Sequence, residues 1–113
     1  MDIEVLERCK EIYNDPKRQP FPSKNKIVIC GIITKDKNKA LSVLQDKGVV
    51  DIRQTHSFIE GKLGNEYYIW CDNKYNCHGR RFHKVIIDKD IDEELFKYAI
   101  SCCGMYCRSM EIV

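Results

Sequence analysis

Two hydrophobic periods alternate along the chain. Ile3, Leu6, Cys9 and Tyr13, with Val5 and Ile12 beside them, recur at helical spacing, and Asp2 stands where an N-cap belongs. The helix is expected to stop near Asn14, because Pro16 follows and a proline drives its predecessor to extended backbone. The stretch "DPKRQPFPSKN" holds all three prolines and reads as an extended linker. "KIVICGIIT" is a near-continuous apolar run of strand length, the mark of a strand covered on both faces. Asp36 then caps a helix carrying Ala40, Leu41 and Leu44, with Gly48 at the C′ position. "VVDIRQ" and "EYYIW" read as the next two strands. Between them "SFIEGKLGN" supplies two glycines for a hairpin, with Phe58 and Ile59 extending the earlier strand. "HKVIID" is a fourth strand. Asp90 and Glu93 read as a capping box opening a helix that buries Leu95, Phe96, Ala99, Ile100 and Cys103 and ends at Gly104. "MYCRSMEIV" closes the chain as a strand.

The predicted order is α-β-α-β-β-β-α-β: a single small α/β domain, its mixed sheet carrying helices mainly on one face. Three segments divide it, an N-terminal helix (1–14), the proline-rich linker (15–25) and the α/β domain proper (26–113).

Composition narrows the function classes. At 113 residues, 43% hydrophobic and 32% charged, the chain describes one globular domain with its own core. A net charge of +2 gives no global field toward nucleic acid, so any such case must rest on a local patch. Apolar runs such as Ile27 to Ile33 are too short to span a bilayer, and the acidic amphipathic start does not resemble a signal peptide. A cytoplasmic protein without membrane association is the expectation. Its seven cysteines, several inside core patterns, are then expected to remain reduced and to act as small hydrophobes.

Candidate chemistry concentrates in "CDNKYNCHGRRFHKVIID", Cys71 to Asp88. Cys71, Cys77, His78 and His83 are of the right types for zinc, but only His78 and His83 have the spacing of a ligand clip, and Cys77 adjoins His78. No metal and no cofactor are expected; these four are the residues that would hold a metal if one bound. No C-x-x-C pair, phosphate-binding glycine loop, HExxH or GxSxG signature is present, so no catalytic residue is assigned.

Lys74, Tyr75, Arg80, Arg81, Phe82 and Lys84 form a basic, aromatic-interleaved set with no acid between Asp72 and Asp88. Guanidinium groups with aromatic rings can clamp phosphates and stack on bases. Two plainer outcomes compete with this one. The arginines could pair with the acids of "DKDIDEE", and strand alternation could turn Phe82 inward.

"HGRRFHKVIID" followed by an acidic helix is similar to the arginine-glycine loop and Walker B strand of phage terminases and related helicase-like ATPases. The resemblance covers roughly Lys26 to Ile100 in topology and about a dozen residues in motif. This chain departs from the pattern: Lys89 follows Asp88 where those families carry the catalytic Glu, Gly79 precedes the arginines, and the phosphate loop is absent. The resemblance implies a nucleotidase framework that has lost its chemistry and been reused for binding.

The expected function is therefore a small, non-enzymatic module docking on a macromolecular partner, of the kind by which phages and mobile elements inhibit or adapt host machinery (anti-CRISPR proteins are one such class). A protein is the expected partner; the oligomeric state is left open. The alternatives are a nucleic-acid-binding protein using the same loop, and a thiol- or metal-dependent enzyme centred on Cys71, Cys77, His78 and His83.

Overall fold

Val28–Ile33, the apolar run, forms β1 near the middle of a six-stranded sheet. The computed structural model describes residues 1–20 and 26–113. Along the chain the elements are α1 (Ile3–Tyr13), β1, α2 (Lys37–Asp46), β2 (Asp51–Gln54), β3 (Ile59–Leu63), β4 (Glu66–Cys71), α3 (Lys74–Cys77), β5 (Lys84–Ile87), α4 (Glu93–Cys103) and β6 (Ser109–Ile112). The strand order is β2-β3-β4-β1-β5-β6. β1 pairs parallel with β4 and β5, and β5 pairs parallel with β6, whereas β3 joins β2 and β4 antiparallel.

Alternation along the parallel strands divides the core into two layers. Cys30 and Ile32, Tyr68 and Trp70, and Ile86 pack with Ala40, Val43 and Leu44 of α2 on one face. Ile33, Ile69 and Cys71, Val85 and Ile87 pack on the other with Leu6 of α1, Cys77 of α3 and Leu95, Phe96 and Ala99 of α4. This is the mixed sheet with helices mainly on one face that the patterning predicts. Two elements, β3 and the four-residue α3, are added inside segments read as connectors. After a turn closed by Thr55 N–H on the Phe58 carbonyl at 2.8 Å, residues 59–63 form β3. A two-residue turn at Gly64 (φ 59°) and Asn65 then returns the chain into β4, a conformation that glycine adopts without a Cβ clash.

Local signals explain the helix limits. Asp2 accepts from Glu4 N, Asp36 from Asn38 N and Lys39 N, and Gly48 (φ 77°) follows α2. At α4 the cap is Asp92, which accepts from Leu95 N, and Asp90 lies outside the helix. The acidic first turn therefore begins two residues later than the capping-box reading placed it. α1 packs beside β6, where the Asn14 side chain donates to Met110 O and accepts from Met110 N, both at 2.9 Å. Arg18 donates to the carbonyls of Gly104 and Cys107, which ties residues 15–18 of the linker to the end of α4. The rest of the predicted linker includes residues 21–25, Phe21 among them, which lie outside the described residues.

Candidate functional site

The α3–β5 connection is built by a succession of local hydrogen bonds. Asn73 caps α3 by accepting from Tyr75 N and Asn76 N. Gly79 (φ 75°) turns the chain, and Arg80 N–H reaches back to the Cys77 carbonyl at 3.2 Å. The segment is then pinned to both of its neighbours: Phe82 N–H donates to Cys102 O, and His83 N–H donates to Ile29 O. Between this loop and the C-terminal end of α4 lies a groove of about 370 Å³, lined by Cys77, His78, Arg80, Arg81, Tyr98, Cys102 and Tyr106.

The groove is basic. Arg80 spends its Nε on the Asn76 carbonyl at 2.8 Å, and Arg81 donates one terminal nitrogen to the Tyr106 hydroxyl at 2.9 Å. The Arg81 guanidinium lies 4.9 Å from the Tyr106 ring centre, and Lys74 Nζ lies 5.3 Å from Tyr75 and 5.9 Å from Tyr98. Among the described residues none of these three cations has a carboxylate within ion-pair distance. Of the nearby acids, Asp88 is engaged by Lys39 and Asp92 by Lys35, while Asp72 and Glu94 line the neighbouring pocket with Lys74 at more than ion-pair distance.

Two members of the sequence-derived set do not join this surface. Phe82 is fully buried, its ring against Gly31, where a Cβ would come within 2.9 Å of the ring. Regular alternation begins only at Lys84, so Phe82 falls into the same layer as Val85 and Ile87. Lys84 turns to the opposite face of the sheet and pairs with Glu66 at 3.5 Å. Lys74, Tyr75 and Arg81 stay exposed on the outer surface, Tyr75 at 78%, and Arg80 is half-buried beside them.

The metal candidates are dispersed. Cys71 and Cys77 are both buried in the core, where Cys71 Sγ donates to the Asn76 carbonyl at 3.6 Å; the neighbouring Cys77 sulfur first, and burial second, push the Cys71 thiol up. Cys102 donates to the Cys77 carbonyl at 2.9 Å, and Cys103 is held up in the same way by Cys107 and burial. His78 sits exposed at the end of α3. His83 is buried, and its Nδ1 accepts from Ile29 N–H at 2.9 Å, which leaves the neutral ring's proton on Nε2. Burial first, and Arg108 second, hold its pKa below the ordinary histidine value. Among the described residues no three His, Cys, Asp or Glu side chains converge to hold a metal ion.

A second polar cluster lies at the carboxyl ends of β1 and β5. The helices that follow these neighbouring strands lie on opposite faces, which is where open α/β sheets place ligands. Asp88 Oδ2 accepts from Thr34 Oγ1 at 2.7 Å, and Oδ1 accepts from Lys39 Nζ at 2.6 Å and Asp90 N at 2.9 Å. Burial raises the Asp88 pKa, but the bonds from Lys39, Asp90 N–H and Thr34 outweigh it and hold the carboxyl below the usual range. Thr34 and Lys39 were absent from the sequence-derived candidates. The available signal was "TKDKNK", a polar run directly after an apolar strand.

No protein-family model and no curated protein matches the chain. Among solved structures it is similar to the large terminase from a thermophilic bacteriophage in complex with ADP, with a TM-score of 0.52 and 10% identity. The likeness covers 76% of this chain and 25% of the terminase, so this chain spans about a quarter of that protein's length. At this identity it is a likeness of fold.

Proposed function

We propose that the chain is a small, non-enzymatic binding module that docks on a protein partner through the face bearing Lys74, Tyr75, Arg80 and Arg81. The observation that carries the reading is the gathering of Lys74, Arg80 and Arg81 beside the rings of Tyr75, Tyr98 and Tyr106 in and beside one groove, with no carboxylate within ion-pair distance of the three among the described residues. Arginines and tyrosines that are exposed or half-buried around a concave site are the residue types that dominate interface energetics. Two further features support binding over catalysis. Both oxygens of Asp88 are engaged by the protein's own Thr34 and Lys39, and the "TKDKNK" connection has no glycine loop to cradle phosphates. The "HGRRFHKVIID" run and the fold likeness to a phage terminase are in keeping with an ATPase-like framework reused for docking. A phage or mobile-element inhibitor or adaptor of host machinery is the finer form of this proposal.

Capture from host lysate by the wild-type protein, compared with Arg80→Ala/Arg81→Ala, tests the reading. Partner capture is expected from the former and not from the latter, with both proteins showing the same melting temperature. Equal capture by the double variant would remove this face from the account and leave the outer side of α1 as the next candidate.

A further inference from the structure

We infer that the occupant of the groove is an acidic segment of the partner protein, with a glutamate or aspartate carboxylate lodged between Arg80 and Arg81. The inference rests on the docking reading and specifies the chemistry of the partner. Among the described residues Arg80 uses only Nε and Arg81 only one terminal nitrogen for side-chain hydrogen bonds, so each keeps part of its guanidinium fork for an incoming group. That fork matches the two oxygens of a carboxylate. The walls beside it are the rings of Tyr98 and Tyr106, which suit the methylene stem of an acidic side chain.

A nucleic-acid strand would need two things that this surface offers poorly. Bases stack on open aromatic faces. In the groove itself one face of Tyr106 is taken by Arg81 and one face of Tyr98 by Lys74, which leaves their edges as walls; the widely exposed Tyr75 stands outside the groove beside Lys74. Phosphate binding gains its strength from many neutralised charges, about six to ten in well-bound duplexes. The groove provides Arg80 and Arg81, with Lys74 beside it.

The test uses the full chain and fluorescence anisotropy with two labelled probes, an oligoglutamate peptide and an oligothymidylate of equal charge. Oligoglutamate should bind the wild type and lose at least about tenfold in affinity on Arg80→Ala/Arg81→Ala. Arg80→Lys, which keeps the charge and removes the fork, should also weaken it. Lys62→Ala, which removes a charge elsewhere, should not. Circular dichroism melts keep folding separate from binding. If oligothymidylate binds at least as tightly with the same arginine dependence, the occupant is a nucleic-acid strand and the inference is wrong. If neither probe binds while lysate capture still depends on the two arginines, the acidic occupant fails and the docking face stands. If no binding of any kind depends on them, both readings fail together.

Discussion

The cluster at the carboxyl end of the sheet and the groove beside α3 carry the same kinds of side chain in opposite arrangements. In the first, Lys39, Thr34 and Asp88 satisfy one another, and Lys35 pairs with Asp92 outside them. In the second, Arg80 leans on a backbone carbonyl and Arg81 and Lys74 on tyrosine rings, with no carboxylate within ion-pair distance among the described residues. A matched cluster contributes to folding and offers little to a ligand, because any newcomer must displace an existing bond. An unmatched one contributes little to folding and remains available. Charge density alone therefore does not separate the two regions, whereas the way each charge is compensated does.

The sharpest way to break the comparison is to unmatch the first region. Asp88→Asn would strand the Lys39 ammonium, whose side chain is 26% exposed, beside a buried amide. The expected cost is about 2 to 3 kcal/mol, read as a lower denaturant midpoint at unchanged slope. In a Lys39→Met background the same substitution should cost clearly less, because the charge it strands is gone. Equal costs in both backgrounds would mean that the pair is not a coupled unit. The pH dependence should follow. The folded Asp88 pKa lies below the ordinary one, so its stabilisation is fully present above about pH 4 and is lost as the pH falls through the folded value. Asp88→Asn should flatten that acid limb.

The second region should give the opposite outcome. Arg80→Ala and Arg81→Ala are each expected to weaken partner binding by about 1 kcal/mol or more, with stability unchanged within about 0.5 kcal/mol. A large loss of stability instead would show that the groove is a structural cluster like the first.

Legibility in the sequence followed the range of the interaction. Elements fixed by local signals were readable: the caps at Asp2 and Asp36, the glycine stop after α2, and the apolar runs of β1, β4 and β5. The strand at residues 59–63 was hidden because two glycines in "SFIEGKLGN" look like turn residues. Gly61 instead lies within the strand, where an added Cβ would meet Val49 at 2.7 Å. Phe82 illustrates the same limit at the site. Its inward turn depends on the space left by Gly31, far earlier in the chain, and on the bond from its N–H to Cys102. The partnering of Asp88 was equally out of reach, since Lys39 is brought to it by the parallel pairing of β1 and β5.

His83 supplies a smaller effect beneath the groove. Its depressed pKa means that the unfolded chain takes up a proton first, so stability should decline as the pH drops below about 6.5. His83→Gln, which retains an acceptor for Ile29 N–H, should remove that decline while lowering stability overall. An unchanged pH profile in the variant would assign the decline to another group.

The smallest expected effect is zinc content, and it bears on whether the groove is a docking surface or a chemical centre. Protein purified without added metal should contain well under one zinc ion per chain. Cys71 and Cys77 are buried in the core, and the thiols of Cys71 and Cys102 are committed to backbone carbonyls, those of Asn76 and Cys77. His78 stands exposed at the end of α3, while His83 is held through Nδ1 at the start of β1 and faces the Tyr106 ring edge-on at 6.4 Å. Zinc needs about four ligands in tetrahedral array, and drawing these side chains together would require Cys71 and Cys77 to leave the core and the His83 bond to break. One tightly held ion per chain, lost on Cys77→Ser, would make the groove a metal centre and end its contrast with the closed cluster around Asp88.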